Sequence, residues 1–536
     1  MFSRIKEFRI LKRQTITEAA IIITTITFLS KIVGYAREVL VAKYFGATAQ
    51  TDAFVIAMLI PSMILGLFSG GIQTVVIREY AEKKTKSISD AKIFVNQIFF
   101  IFSVVLAVVS LFLILFSSFF IKIVAFGFTG ERLALASNFM KFLTVFGFMN
   151  VLSGLFIGLF QIEGQFLYPA FIGLISNMLI PLSLVLLAPF MGIGSWTLGQ
   201  NLFGLLHFFA MFFILKYRWK FFDIFEVHKI RWDEISEFVR LMLPIVVVSG
   251  IGIIYQIIDK TVASFLPYGS ISALNFAQRV FLIPYGLLAT SISVSVYPSF
   301  STYAVKEDNG SYSSLFEKSL FSLAYIMIPI SVLFVVFSHT IVRLLFERGA
   351  FDVSATNLTA GCVAMYSVGL FALSFNSIFH NAFFSFKDTK TPMYISLVTA
   401  GINIVLDIIF AKLWGASGIA LATTIVTFTA LVLYAFNFRK KHYVSGISSR
   451  KIYVELLKIV FASAVFGVLS LILKRFIPQS AGFFTALLRF GIIVIFVGIV
   501  YLILTWLLRS SGFELAKGYV QRFYAFLHTP SSRGTK

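Results

Sequence analysis

In this chain of 536 residues, 58% are hydrophobic, only 13% are charged, and Phe alone occurs 64 times; a soluble body could not hide that much apolar surface, so the composition reads as a polytopic membrane protein. The net charge of +21 could serve nucleic-acid binding, but the cations are scattered over short loops, which points to membrane topology instead. A single cysteine, Cys362, excludes a disulfide framework and any cysteine-based metal cluster.

Residues 1–14 are basic, with Arg4, Lys6, Arg9, Lys12 and Arg13. The apolar run after them is too long for the core of a cleavable signal peptide, so it is expected to remain as the first span. That span, 16–45, carries Lys31, Arg37, Glu38 and Lys43. A charge facing lipid deep in the bilayer costs roughly 2.5–3.5 kcal/mol on insertion scales, so such residues usually face a partner or a watery cavity. Lys31, Gly34 and Glu38 follow at i, i+3 and i+7, with Arg37 one position aside, which clusters the charge toward one face. Two readings follow: lysines reaching the interface beside a structural Arg37–Glu38 pair, or one wall of a polar transport cavity.

Thirteen further spans follow, at about 51–77, 94–121, 133–160, 166–190, 195–216, 239–265, 273–302, 316–342, 357–386, 391–412, 416–438, 452–473 and 483–508. Lys and Arg crowd the connections 78–92, 216–231 and 439–451 and the C-terminal tail, whereas 46–50, 189–195 and 266–272 carry none. This alternation predicts both termini in the cytoplasm. A shift of 223 residues superposes Gly46 on Gly269, Pro61 on Pro284, Pro169 on Pro392 and Gly192 on Gly415. Four such matches at span ends or kinks indicate a duplicated six-span unit. An even span count makes the repeat parallel, with a substrate site expected between its halves. The predicted architecture is an all-α polytopic membrane protein of about 14 transmembrane helices. It comprises a cytoplasmic N-terminus (1–14), an N-lobe of six spans (15–222), a C-lobe of six (223–445), two added helices (446–510) and a cytoplasmic tail (511–536).

Charges from both halves would line that site: Arg37, Glu38 and Asp52 from the first, Asp259, Lys260 and Arg279 from the second, with Lys31 deeper. Opposed cations suit an anionic substrate, and the planar fork of Arg suits phosphate. The alternative is interhelical ion pairing, for example Arg37 with Asp52 or Lys260 with Asp259. A second cluster combines Asn403 and Asp407, at i and i+4, with Thr423 and Asp259. An oxygen-only donor set suits a hard cation such as Na+ and argues against zinc or copper; polar glue between helices is the competing reading. No other cofactor is expected.

Several motifs together resemble the MurJ (MviN) lipid II flippase family, within the multidrug/oligosaccharidyl-lipid/polysaccharide exporter superfamily. They are the run Ser30-Lys-Ile-Val-Gly-Tyr-Ala-Arg37-Glu38, then Phe45-Gly-Ala-Thr, Thr51-Asp52-Ala-Phe and Pro61. Later come Gln278-Arg279, Pro284-Tyr-Gly286, Phe346-Glu-Arg-Gly-Ala-Phe351 and Lys387-Asp-Thr-Lys-Thr-Pro392. The resemblance implies two six-helix lobes around a cationic cavity. It also implies alternating access carrying undecaprenyl-diphosphate-linked peptidoglycan precursor to the outer leaflet, driven by membrane potential or an ion gradient. The last two helices would offer a groove for the lipid tail. Arg37, Asp52 and Arg279 match family residues needed for transport, and Lys31 stands where Arg is usual. Three positions depart from the family: Leu65 replaces an Arg, Gly70 a Glu, and Leu282 an acidic residue.

The implied partners are lipid II, membrane lipids and cell-wall synthesis proteins, with the chain a monomer in the bacterial inner membrane. No Gly-x4-Gly-Lys-Ser/Thr phosphate loop occurs, so the chain is not expected to hydrolyse ATP or to be an enzyme. His207 and His380 lie in spans without a nucleophile at a diagnostic spacing, and packing or cavity polarity suits them better than catalysis. Two alternatives stay open: a flippase for another polyprenyl-diphosphate glycan, and, in a different class, a membrane glycosyltransferase. The latter would want carboxylates in a sizeable loop, whereas the longest one, about 217–238, is short and basic. A cation antiporter of the same superfamily would want a carboxylate-dominated cavity.

Overall fold

A computed structural model describes residues 16–222, 230–441, 449–478 and 482–528. The basic N-terminus 1–14 and the end of the tail lie outside the described residues, as does part of the connection 439–451. Among the described residues the chain is helical throughout. In order the helices are α1 (Ile16–Phe45), α2 (Ala49–Lys86), α3 (Ile88–Leu115), α4 (Ser117–Val124), α5 (Gly130–Ile162), α6 (Leu167–Met191), α7 (Gly194–Tyr217) and α8 (Trp232–Ala263). There follow α9 (Ser270–Pro284), α10 (Thr290–Val305), α11 (Asn309–Val336), α12 (Ser338–Phe346), α13 (Val353–Val368) and α14 (Leu370–Ser385). The chain closes with α15 (Lys390–Lys440), α16 (Ser449–Leu473), α17 (Phe483–Leu507) and α18 (Ser511–His528).

Among the described residues, ten helical segments are long and apolar enough to cross a membrane, or eleven if the bent pair α13–α14 is one span. The fourteen predicted spans are accounted for once breaks are followed. α15 departs from helical geometry at Gly415 (φ 59°, ψ −137°), which leaves two arms of about 37 Å each, sufficient to cross. α1 and α8 coincide with two more predicted spans. Predicted spans 94–121 and 316–342 end earlier than expected. Each long helix stops at a phenylalanine (Phe116, φ −102°; Phe337, φ −102°) and restarts as a short helix, α4 or α12.

The 223-residue repeat reappears as backbone geometry. Gly192 (φ 53°, ψ −138°) and Gly415 adopt the same conformation, which ends one span and starts the next. Gly46 and Gly269 are likewise both left-handed, at +60° and +87°. So are Gly164 (+69°) and Lys387 (+58°), a pair at the same offset that the sequence comparison missed. Pro284 answers Pro61 by position, and the chain behind it widens into a π turn, Tyr285–Ala289, between α9 and α10.

The chain divides into two compact units, one of residues 1–272 and 348–352, the other of 273–347 and 353–536. That boundary falls one span later than the repeat's, because α8 packs with the first unit. In the first unit, α2 lies along α5. Gly147, Gly154 and Gly158 of α5 face Leu65, Ser69 and Gln73 of α2 so closely that a Cβ at Gly147 or Gly154 would come within 2.7 or 2.6 Å of them. Small residues at this spacing let helix backbones approach where hydrophobicity cannot drive association. In the second unit, α11 packs on α16, and α13 and α14 pack on α15.

Candidate functional site

Asp52, in the first turn of α2, is completely buried and accepts four hydrogen bonds. Arg132 Nη2 donates at 2.7 Å, the Gly269 amide at 2.8 Å and the Ser272 amide at 2.7 Å; the Ser272 hydroxyl supplies the fourth. A buried carboxylate persists only when its oxygens are met by charge and donors, and here they are. The Arg132 guanidinium lies over Phe128 at 4.0 Å and Tyr268 at 5.0 Å. Gly269 admits this arrangement because any Cβ there would meet the Ala47 carbonyl oxygen at 2.3 Å. The end of α8 is tied down beside the cluster: Thr261 donates to the Val124 carbonyl at 2.7 Å, and the Gly127 amide donates to Ser264 Oγ at 3.0 Å. The segment 348–352 adds a clasp on α1, its Ala350 amide donating to the Lys43 carbonyl at 2.8 Å. Gly46 and Gly349 leave room for that contact, which gives part of the Phe346–Phe351 motif a structural task.

At the other end of α8, Arg231 lies 3.0 Å from Asp90 and 3.2 Å from Glu234, and Lys83 lies 3.0 Å from Glu234. The Arg231 amide also donates to Gln97 Oε1 at 3.3 Å. α8 is thus fastened to the rest of the first unit at both ends.

The remaining predicted residues are distributed as follows. On α1, Arg37 bonds Glu38 at 2.7 Å, with Glu38 buried and Arg37 only 17% exposed, while Lys31 is exposed. The pairing of Arg37 with Asp52 weighed from sequence is not formed; Asp52 takes Arg132 instead, because that side chain enters the same buried pocket from α5. Asp259 and Lys260 are buried on α8, and Arg279 is exposed on α9. Asn403 and Asp407 are buried on the first arm of α15. Thr423, half-buried on the second arm, turns its hydroxyl to the Ile419 carbonyl at 3.1 Å. Among the described residues, no group of three or more His, Cys, Asp or Glu side chains is arranged to hold a metal. Asp259 belongs to the first unit and the other three oxygen donors to the second.

Sequence reasoning missed Arg132. The signal was available: it is an Arg at a span end on the face that the charge rule leaves nearly bare. Leu65 also differs from expectation. It is fully buried against Gly147, so this position packs α2 on α5 and is not a bleached cavity cation. Leu282 is 41% exposed. An apolar cavity of about 400 Å³ lies among α11, α16 and α17, lined by Pro329, Leu333, Phe466, Val494 and Tyr501 among others.

Comparison with known proteins gives a consistent result. The family described as lipid II flippase MurJ matches residues 41–491. A probable lipid II flippase MurJ of Borreliella burgdorferi is 26% identical over 447 residues, 83% of this chain and 85% of the relative. That of Thermotoga maritima is 25% identical over 491 residues, 91% of this chain and 96% of the relative. A solved structure of a lipid II flippase MurJ in an inward closed conformation superposes with a TM-score of 0.75 at 26% identity, covering 90% of this chain and 98% of that one. An inward-facing multidrug transporter of the MATE family shares the fold, with a TM-score of 0.62 at 12% identity, covering 79% and 98%.

Proposed function

The chain belongs to the MurJ family of lipid II flippases, and we propose from this that it moves undecaprenyl-diphosphate-linked peptidoglycan precursor from the inner to the outer leaflet by alternating access. It is a multi-pass transporter of the bacterial inner membrane, not an enzyme. The observation that carries this reading is the similarity to a solved flippase over nine-tenths of the chain. The alternation of basic and bare connections supports a cytoplasmic placement for both termini.

In this reading Lys31, Arg37, Lys260 and Arg279 bind the diphosphate, and Glu38 orients Arg37 through its ion pair. Asp52 acts as a latch: it gathers Arg132 and the amides at the start of α9, and it must let go before α8 can leave α2. The ion pairs of Arg231 and Lys83 do the same at the opposite end of α8. Opening one end while the other stays fastened is what alternating access requires. The apolar cavity among α11, α16 and α17 suits the lipid tail. The buried oxygens of Asn403 and Asp407, with Thr423 on the second arm of α15, suit a Na+ ion as the coupling cation; among the described residues the side-chain nitrogen assigned to Asn403 has no hydrogen-bond partner, as expected where the amide oxygen turns to an ion. A monomer suffices for this cycle, and cell-wall synthesis proteins are its natural neighbours.

The test is rescue of a cell depleted of its own lipid II flippase, read as disappearance of accumulated precursor. Continued accumulation with the protein present in the membrane would defeat the proposal and favour a carrier of another polyprenyl-diphosphate glycan.

A further inference from the structure

We propose that the groove between α10, α11 and α18 binds the headgroup of an anionic phospholipid. Placing that lipid in the inner leaflet rests on the reading above that the C-terminal tail is cytoplasmic. The groove has a volume of about 370 Å³, inside the ~300–1,000 Å³ range of small-ligand sites. It is lined by Ile292 and Val296 of α10, Lys318, Ser319 and Ser322 of α11, and Ala516 of α18. Residues 318, 319, 322 and 326 follow at helical spacing, so one face of α11 turns from cationic to hydroxylic to apolar along the groove. Lys318 is exposed and forms no ion pair among the described residues. Its neighbour Glu317 is turned away and engaged by Lys451 at 2.6 Å, so it does not neutralise the groove. Ser322 is only 7% exposed, and its hydroxyl makes no hydrogen bond among the described residues.

The third wall is built in. Glu455, buried on α16, accepts hydrogen bonds from the Ser510 hydroxyl and, at 3.1 Å, from the Gly512 amide. Lys458 donates to the Arg509 carbonyl at 3.2 Å. Gly512 then lies flat on Tyr325 of α11, where a Cβ would come within 2.7 Å of that side chain. These contacts start α18 immediately after α17 ends at Leu507 and press it on α11. The groove therefore lies where a span leaves the membrane, at headgroup level. A phosphodiester would meet the Lys318 ammonium and the Ser322 hydroxyl, with acyl chains along Ile292 and Val296, whereas the Ser319 hydroxyl is already given to the Leu315 carbonyl at 2.7 Å.

The experiment is native mass spectrometry of the full-length protein with equimolar phosphatidylglycerol and phosphatidylcholine, with lipid II as a separate arm. Wild type should retain phosphatidylglycerol about fivefold over phosphatidylcholine, the effect of one lysine at a membrane surface. Lys318→Gln should bring the ratio close to one, and Ala516→Trp, which fills the groove without removing charge, should do the same. Lys306→Gln, an exposed inner-loop lysine outside the groove, should leave it unchanged. A wild-type ratio near one would overturn the proposal, as would equal losses for Lys318→Gln and Lys306→Gln. A matching loss of lipid II binding in Lys318→Gln would also overturn it, by making the groove part of the substrate path. Wild type that ignores lipid II but keeps the Lys318-dependent preference would overturn the flippase reading and leave this site standing.

Discussion

Asp52 is completely buried and accepts four hydrogen bonds, and its partners make its role testable. Removing one member of a buried ion pair typically costs about 3–5 kcal/mol, because the other charge is left without compensation. Asp52→Asn and Arg132→Gln should therefore each lower the melting temperature of the purified protein sharply. Combining them should recover a large part of the loss, since neither charge then remains buried alone. Purely additive losses would mean that the 2.7 Å contact contributes no coupling. Leu65 offers a second residue-scale test. If the position were a vacated cation site, Leu65→Arg would be tolerated and would strengthen diphosphate binding. Its burial against Gly147 instead predicts a poorly inserted or unstable variant, read as loss of folded protein in membranes.

Among the elements, α8 is fastened at both ends, so it is where the proposed cycle can be tested. The pairs at the start of α8 are partly exposed, Arg231 by 41% and Asp90 by 50%, so each contributes little to stability and salt screens it. Stability should hardly change in Arg231→Gln, whereas amide hydrogen exchange at the start of α8 should quicken. High salt should produce the same change in wild type. Unchanged exchange in both cases would remove these pairs from the gating scheme. The start of α11 carries a pH signature: hydrogen bonds from Ser311 hold the exposed Asp308 carboxyl below its ordinary range. A depressed pKa means that the cap's contribution is complete above the ordinary carboxylate pKa and fades as pH falls through the lowered value. Exchange at residues 309–312 should accordingly rise only in acid, and Asp308→Ala should show the fast rate at neutral pH.

For the whole molecule, the expectation is selective handling of a diphosphate lipid. Lipid II and undecaprenyl diphosphate should each bind more tightly than an unrelated anionic phospholipid in native mass spectrometry. Arg37→Ala and Arg279→Ala should abolish rescue of a depleted strain while inserting normally, with Lys only partly restoring it, since Lys lacks the bidentate fork. Growth supported by either Ala variant would refute the assignment. If Na+ couples transport, sodium should raise the melting temperature of wild type but not of Asp407→Asn, because a ligand that binds only the folded state stabilises it. Equal responses to sodium, potassium and choline would leave Asn403, Asp407 and Thr423 as packing.

The sequence by itself determined the helical class, the fourteen spans and the repeat, because span length, charge asymmetry and Gly or Pro at fixed positions are local properties that a bilayer reads directly. Even the left-handed turns at Gly46, Gly192, Gly269 and Gly415 were legible as matched glycines, and the family as a set of motifs. Tertiary structure alone decided who pairs with whom. Asp52 chose Arg132, 80 residues away, over the Arg37 that sequence proximity suggested. Leu65 proved to be a packing residue, and α8 joined the first compact unit although the repeat assigns it to the second half. A buried charge takes the partner that three-dimensional packing brings within about 3 Å, and no spacing along the chain encodes that distance.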